Sequence, residues 1–218
     1  MAKHLTSDPS FTEASYLVID FEATTPAGHR PEPIEVAVLA LRPNGARMAE
    51  AFRYEALIQP PEHAPISDFD ARQTGITAQM VAGQPPAATV LAELDARLTT
   101  PPYRLVAHHA PTEGGIIYDY RRCCPRLAAT PLLDTVRLAR AVYPELPSHR
   151  LDALLDYLNI PRPVGRHRAM ADVEATAEVF TRLLEAGSAV GVWRGLRDLT
   201  ATAGLEAKAT KPTQDAMF

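Results

Sequence analysis

Two acidic side chains close an apolar stretch near the start of the chain. Asp20 and Glu22 end the segment 16–22, whose other residues are Tyr, Leu, Val, Ile and Phe. Because side chains alternate between the two faces of a strand, both carboxylates project from the same side. Paired carboxylates out of water need cations, and oxygen ligands favour Mg²⁺ or Mn²⁺ over zinc. The pair therefore indicates a divalent-metal site, with two solvated acids beyond the strand end as the alternative.

A histidine and an aspartate precede a helical pattern late in the chain. His167 and Asp172 are five residues apart, and a five-residue step within a helix would turn the two side chains about 140° away from each other. We therefore expect His167 on the loop that leads into the helix and Asp172 in its first turn. The alternative is a surface histidine and an acid that only complements the helix dipole.

A third segment, residues 105–113, runs from a buried strand into the start of a helix. His108 lies at the junction and Glu113 lies near the helix N-terminus. Glu113 is a further candidate for a functional residue, and the alternative is a simple capping acid in a Thr/Glu helix start.

The elements that must position these residues begin with a meander. Apolar and β-branched runs predict strands at 16–22, 34–41 and around 51–58, and Pro43-Asn44-Gly45 favours a tight turn between the last two. Short helices are predicted near Ser67 and Thr77, followed by an amphipathic helix over about 86–98.

Strands and helices then alternate to the end of the pattern. We predict strands at 104–107 and 132–133, and helices at 113–123, 135–142, 151–158 and 169–185. A meander followed by βαβ units implies an α/β fold with a mixed five-stranded sheet flanked by helices.

Composition places the chain among folded proteins and reveals an uneven charge. Of its 218 residues 46% are apolar, which excludes general disorder. No apolar run reaches about 18 residues, so we expect a cytoplasmic protein without a membrane partner. Residues 121–168 hold nine arginines against four acids, a net charge of +5 in a chain of −4. This polarity is compatible with phosphate binding, although arginines also decorate solvated helix faces. The adjacent Cys123 and Cys124 are expected to be free thiols.

Together the three segments resemble a known family. Residues 18–25 (V-I-D-F-E-A-T-T) resemble a D-x-E-x-T motif, residues 106–113 (V-A-H-H-A-P-T-E) resemble V-x-H-N-A-x-F-D, and His167 with Asp172 resembles H-x-x-x-x-D. These motifs are typical of the DEDDh, or DnaQ-like, 3′→5′ exonucleases, which include the proofreading epsilon subunit of bacterial DNA polymerase III. The resemblance implies an RNase H-like exonuclease domain over 16–186, after an N-terminal extension (1–15) and before a helical or flexible tail (187–218).

The resemblance also implies a mechanism. Two Mg²⁺ or Mn²⁺ ions would be held by four carboxylates, those of Asp20, Glu22, Glu113 and Asp172. His167 would accept a proton from the attacking water, and nucleoside 5′-monophosphates would leave from the 3′ end of DNA, or of RNA.

Thr24 and His108 would contact the substrate. The family's central Asn is replaced by His109, and its aromatic-Asp pair is replaced by Thr112 and Glu113. These departures leave open an alternative, a degenerate DnaQ-like module that binds nucleic acid or a partner protein without cutting.

The end of the chain suggests a partner. Gln214, Met217 and Phe218 close a polar, basic segment, and the peptide 214–218 resembles the short peptide by which bacterial replication and repair proteins bind the sliding clamp. A frayed terminus is the alternative.

Overall fold

The computed structural model describes residues 5–45, 47–163 and 168–210. Within them, six strands form one mixed sheet in the order β3-β2-β1-β4-β5-β6. The strands span β1 Ser15–Thr24, β2 Glu32–Asn44, β3 Arg47–Leu57, β4 Tyr103–Ala107, β5 Leu132–Asp134 and β6 Gly204–Leu205. The α-helices span α1 Pro9–Thr12, α2 Asp68–Thr74, α3 Ala78–Val81, α4 Ala87–Ala96, α5 Pro111–Asp119, α6 Pro125–Ala129, α7 Thr135–Val142, α8 Leu151–Tyr157, α9 Ala169–Ala189 and α10 Leu196–Ala203.

The sheet combines an antiparallel meander with parallel strands. β1 pairs antiparallel with β2, and β2 with β3. β4 lies parallel to β1 and β5 lies parallel to β4. The predicted α/β class, meander and βαβ order are confirmed, and the structure adds one strand to the predicted five. This two-residue strand, β6, pairs antiparallel with β5.

Helices cover both faces of the sheet, because alternate strand residues are apolar on each side. Val18 and Val106 point into one cluster with Phe180 of α9. Leu17 and Leu105 point into the cluster on the opposite face. By alternation, Asp20 and Glu22 lie on the face that carries α9.

Residues outside the predicted range 16–186 share the same core. Phe11 of α1 is fully buried against Tyr16, with ring centroids 5.1 Å apart. Trp193, also fully buried, donates its indole N–H to the carbonyl oxygen of Leu184 at 3.2 Å. Both side chains belong to the cluster that contains Phe180, and the domain boundaries at 15 and 186 stay predictions.

Two expectations from composition concern the thiols and the membrane. Cys123 and Cys124 are free, and Cys124 is buried. Across the described ranges, no helix is both long and apolar enough to cross a bilayer.

Candidate active site

Three carboxylates meet where β1 passes the first turn of α9. One oxygen atom from each of Asp20, Glu22 and Asp172 lies within 4.8 Å of the other two, and all three residues are partly buried. Strand alternation places the first two on the α9 face, and α9 packs across β1 and β2. Asp172 lies in the first turn of α9, as the sequence predicts, and its amide N–H donates to the carbonyl oxygen of Arg168 at 3.1 Å.

A buried ion pair fixes the start of α9 beside these carboxylates. Glu35 of β2 is fully buried, lies opposite Glu22 in the strand register and accepts hydrogen bonds from Arg168 Nε (3.0 Å) and from its Nη2. The same carboxylate accepts the backbone N–H of Ala169 at 2.8 Å. The hydrogen bond to Glu35 is the main cause of the raised pKa of Arg168. Glu35 therefore caps α9 just before the turn that carries Asp172.

Glu35 and Arg168 were not among the candidates from sequence. A signal existed, because Glu35 is the one charged residue in an otherwise apolar run, I-E-V-A-V-L-A-L over 34–41. An acid that faces the core needs a partner. No sequence pattern identifies Arg168 as that partner, because only the fold brings the two residues together.

The histidines after β4 contact the last residue of β5 and the first residue of α7. His108 Nδ1 lies 2.8 Å from Thr135 Oγ1, whose hydroxyl also contacts the carbonyl oxygen of Ala107 at 3.3 Å. His109 has a positive φ of 77°, and its backbone N–H donates to Asp134 Oδ1 at 3.3 Å. The same Asp134 oxygen caps α7 through the N–H of Val136 at 2.9 Å.

Glu113 is buried in the first turn of α5, outside the group of three carboxylates. Its side chain is 5% exposed, and among the described residues its Oε2 has no hydrogen-bond partner. Burial is the largest cause that raises its pKa to about 8, its own backbone N–H opposes the shift, and the nearby Asp134 adds to it. In this environment the Glu113 carboxyl favours its neutral form at pH 7.

The remaining predicted residues divide into two groups. Thr24 is fully buried, and its hydroxyl lies 3.5 Å from the carbonyl oxygen of Glu32. His167 lies outside the described residues, as do Gln214, Met217 and Phe218.

Chemically, the group of three suits a hard divalent cation. Three carboxylate oxygens within reach of one another concentrate negative charge that a cation would neutralise, and oxygen donors are those that Mg²⁺ and Mn²⁺ prefer. Partial burial strengthens that preference, because ionised carboxylates with little water around them repel one another more strongly.

Comparison with known proteins identifies a family and curated relatives. Residues 17–180 match the RNase T family, described as exonuclease. DNA polymerase III PolC-type from Oceanobacillus iheyensis is 31% identical over 180 residues, which are 82% of this chain. The chain spans 12% of the length of that relative.

Solved structures of nucleases share the fold. The nuclease domain of 3′hExo, a DEDDh family member bound to rAMP, has a TM-score of 0.64 and 21% identity over 83% of this chain and 96% of that one. E. coli Exonuclease I in complex with a dT13 oligonucleotide has a TM-score of 0.65 and 18% identity, covering 82% of this chain and 42% of that one.

Proposed function

The chain belongs to the RNase T exonuclease family, in agreement with its resemblance to the DEDDh exonucleases, and we propose that it is a metal-dependent 3′→5′ exonuclease. It removes nucleoside 5′-monophosphates from nucleic-acid 3′ ends. The observation that carries this proposal is the meeting of Asp20, Glu22 and Asp172 within 4.8 Å.

The proposed chemistry needs divalent cations, and the three carboxylates would hold them. When bound, Mg²⁺ or Mn²⁺ supplies a hydroxide nucleophile and stabilises the charge that develops on the phosphate. The resemblance implies two such ions, and the oxygen-only donor set supports either metal. Glu35 and Arg168 keep the third ligand in place by fixing the start of α9.

His167 is proposed as the general base. The next residue in the chain, Arg168, is bound to Glu35 beside the carboxylate group. This neighbour supports a role for the His167 imidazole at that group. An imidazole with a pKa near 6.5 can accept a proton from water at neutral pH.

We propose DNA as the preferred substrate and replication or repair in the cytoplasm as the setting. Support comes from the PolC-type DNA polymerase relative and from the dT13 oligonucleotide bound to Exonuclease I. The rAMP bound to 3′hExo keeps RNA as a second substrate to test.

The test is digestion of 5′-labelled single-stranded DNA and RNA in Mg²⁺, Mn²⁺ or EDTA. We expect a ladder of shortened products with DNA and metal, and none in EDTA. Asp20→Asn should abolish the ladder, because it removes a ligand charge at nearly constant shape. The matched control is Glu178→Gln on the surface of α9, where Glu178 pairs with Arg182 at 2.8 Å. Full activity of Asp20→Asn, or of the parent protein in EDTA, would contradict the proposal.

A second candidate function is binding without hydrolysis, and the buried Glu113 favours it. Glu113 is buried and lies outside the group of three, which leaves the site one carboxylate short of the four that the resemblance implies. If this candidate holds, the parent protein binds labelled DNA without producing a ladder. Glu113→Asp then discriminates further, since a gain of cleavage would identify the longer side chain as the defect.

Residues 214–218 are proposed as a sliding-clamp peptide, with Gln214, Met217 and Phe218 as anchors. Two apolar anchors in a groove should give micromolar affinity, which suffices when tethering raises the local concentration at DNA. The test compares binding of purified bacterial clamp by the full chain and by a chain ending at Thr213. Equal binding by both, or by neither, removes the clamp from the proposal and leaves the nuclease intact.

A further inference from the structure

A cleft of about 470 Å³ lies where β4 and β5 end, and we refer to it as the arginine cleft. Its walls come from the turn after β4, from α7 and from the loop before α8. Its lining includes His108, His109, Arg140, Ser148, His149 and Arg150.

The arginine cleft lies at the same edge of the sheet as the carboxylate group. β1 and β4 are parallel, with Val18 opposite Val106. Asp20 and His108 each follow this pair by two residues, so they lie at the same level on neighbouring strands. His108 therefore lies between the carboxylates and the cleft. A single strand of nucleic acid that leaves the carboxylates and crosses β4 would enter the cleft.

The two arginines of the cleft are available for a ligand. Arg140 and Arg150 are exposed, and within the described ranges neither forms an ion pair. Other arginines of the basic segment 121–168 are occupied, since Arg162 pairs with Asp156 and Arg168 with Glu35. A guanidinium without a carboxylate partner can bind phosphate through two parallel hydrogen bonds.

Local hydrogen bonds hold the loop that carries Arg150. His149 Nε2 donates to the carbonyl oxygen of Tyr143 at 2.9 Å, which ties the loop to the end of α7. Ser148 Oγ accepts the N–H of Arg150 at 3.4 Å. Because the loop is tied, less of the binding free energy would be spent on ordering Arg150.

We propose that the arginine cleft is a phosphate subsite for the single strand upstream of the scissile bond. Arg140 and Arg150 bind backbone phosphates on the 5′ side, while the 3′-terminal phosphodiester lies at the carboxylates. The subsite rests on the proposed exonuclease function, and it places part of the basic segment on the path of the substrate. Its contacts are to phosphate, so it serves any base sequence.

The kinetic test measures whether Arg140 and Arg150 raise kcat/KM for a longer substrate. The substrates are thymidine 5′-p-nitrophenyl phosphate, which has no upstream nucleotide, and the octamer dT8. For the parent protein, kcat/KM should be much higher for the octamer than for the ester. In Arg140→Ala/Arg150→Ala we expect the octamer-to-ester ratio to fall at least tenfold. The control is Arg126→Ala, which removes a charge from a cleft at the opposite edge of the sheet. An unchanged ratio in the double variant, or an equal fall in the control, overturns the subsite.

A binding test separates failure of the subsite from failure of the function. Anisotropy of 5′-fluorescein dT8 is measured in EDTA over a range of salt, where no turnover occurs. Two lost phosphate contacts should lower the slope of log K against log salt by about 1.4. Arg140→Lys/Arg150→Lys should keep most of that slope, because charge is retained. If no substrate is cut yet the slope falls as expected, the subsite stands and the exonuclease function fails. An unchanged slope, or no binding by the parent protein, refutes the subsite even when hydrolysis is seen.

Discussion

Replacing Glu35 by Ala tests whether the buried carboxylate holds the start of α9. The substitution removes the acceptor of the Ala169 N–H, a buried donor whose loss of a partner costs about 1 to 3 kcal/mol. Arg168 is 35% exposed and can turn towards water, so its lost pairing adds little. We therefore expect the free energy of unfolding to fall by about 2 kcal/mol. For a chain of this size the melting temperature should fall by roughly 4 to 8 °C.

The substitution should also weaken metal binding, because Asp172 lies one turn beyond Arg168. A frayed first turn that costs about 1.4 kcal/mol to restore would lower Mn²⁺ affinity about tenfold. Thermal unfolding followed by circular dichroism in EDTA gives the stability, and Mn²⁺ titration followed by electron paramagnetic resonance gives the affinity.

Two variants serve as comparisons for Glu35→Ala. Glu35→Gln keeps an oxygen acceptor for the Ala169 N–H, so it should lose less stability than Glu35→Ala. Glu50→Ala breaks a surface pair with Arg53, in which both side chains are almost half exposed, and should cost at most about 1 kcal/mol. A Glu35→Ala protein that melts within 1 °C of the parent protein and binds Mn²⁺ equally would refute the positioning role of Glu35.

Three further predictions concern the proposed base His167, the buried carboxyl of Glu113 and the packing of Gly187 against Trp193. His167→Ala should lower kcat by roughly 10² to 10⁴ and leave Mn²⁺ affinity near that of the parent protein; a parallel loss of affinity would make the residue structural. The pKa of Glu113 is about 8 in the folded protein and near 4.5 when unfolded, so the folded state holds the extra proton and the free energy of unfolding falls as pH rises through this window. We therefore compare the free energy of unfolding of Glu113→Gln with that of the parent protein in EDTA. The difference, variant minus parent, should grow by about 1 kcal/mol per pH unit between pH 5 and 7.5. A difference that does not change with pH would contradict the raised pKa. Gly187→Ala would put a Cβ 2.1 Å from Trp193 Cζ2, so we expect a loss of about 1 to 3 kcal/mol and a red shift of the single tryptophan's emission, whereas unchanged melting and emission would count against tight packing there.

The elements that sequence predicts well are those with local signals. The predicted helix 135–142 matches α7 because Asp134 caps it through the N–H of Val136. The predicted strand 16–22 falls within β1, which begins its core with the apolar run 16–19. In contrast, β6 is only Gly204–Leu205, which is too short for an alternating pattern, and it exists because β5 offers an edge. The predicted helix 113–123 is shorter in the structure, where α5 ends at Asp119 and a turn leads to α6.

At the candidate site, sequence predicts the common direction of side chains on one strand but not the contacts between distant elements. Asp20 and Glu22 are two residues apart on one strand, so alternation alone gives their common direction. Asp172 joins them only through the packing of α9 on β1, which no local pattern encodes. Glu113 was grouped with them by resemblance, whereas its burial depends on how α5 packs.

The Glu35–Arg168 pair also joins two segments that are made at different times during synthesis of the chain. Its two residues are 133 positions apart, so β2 and its buried acid leave the ribosome long before the arginine that neutralises it. Until then Glu35 has neither the guanidinium nor the N–H of Ala169, and Asp20 and Glu22 lack Asp172. Distant pairings of this kind form late, because the loop between them must be closed first. A chain truncated before α9 would therefore carry Asp20 and Glu22 without Asp172, the third carboxylate of the group.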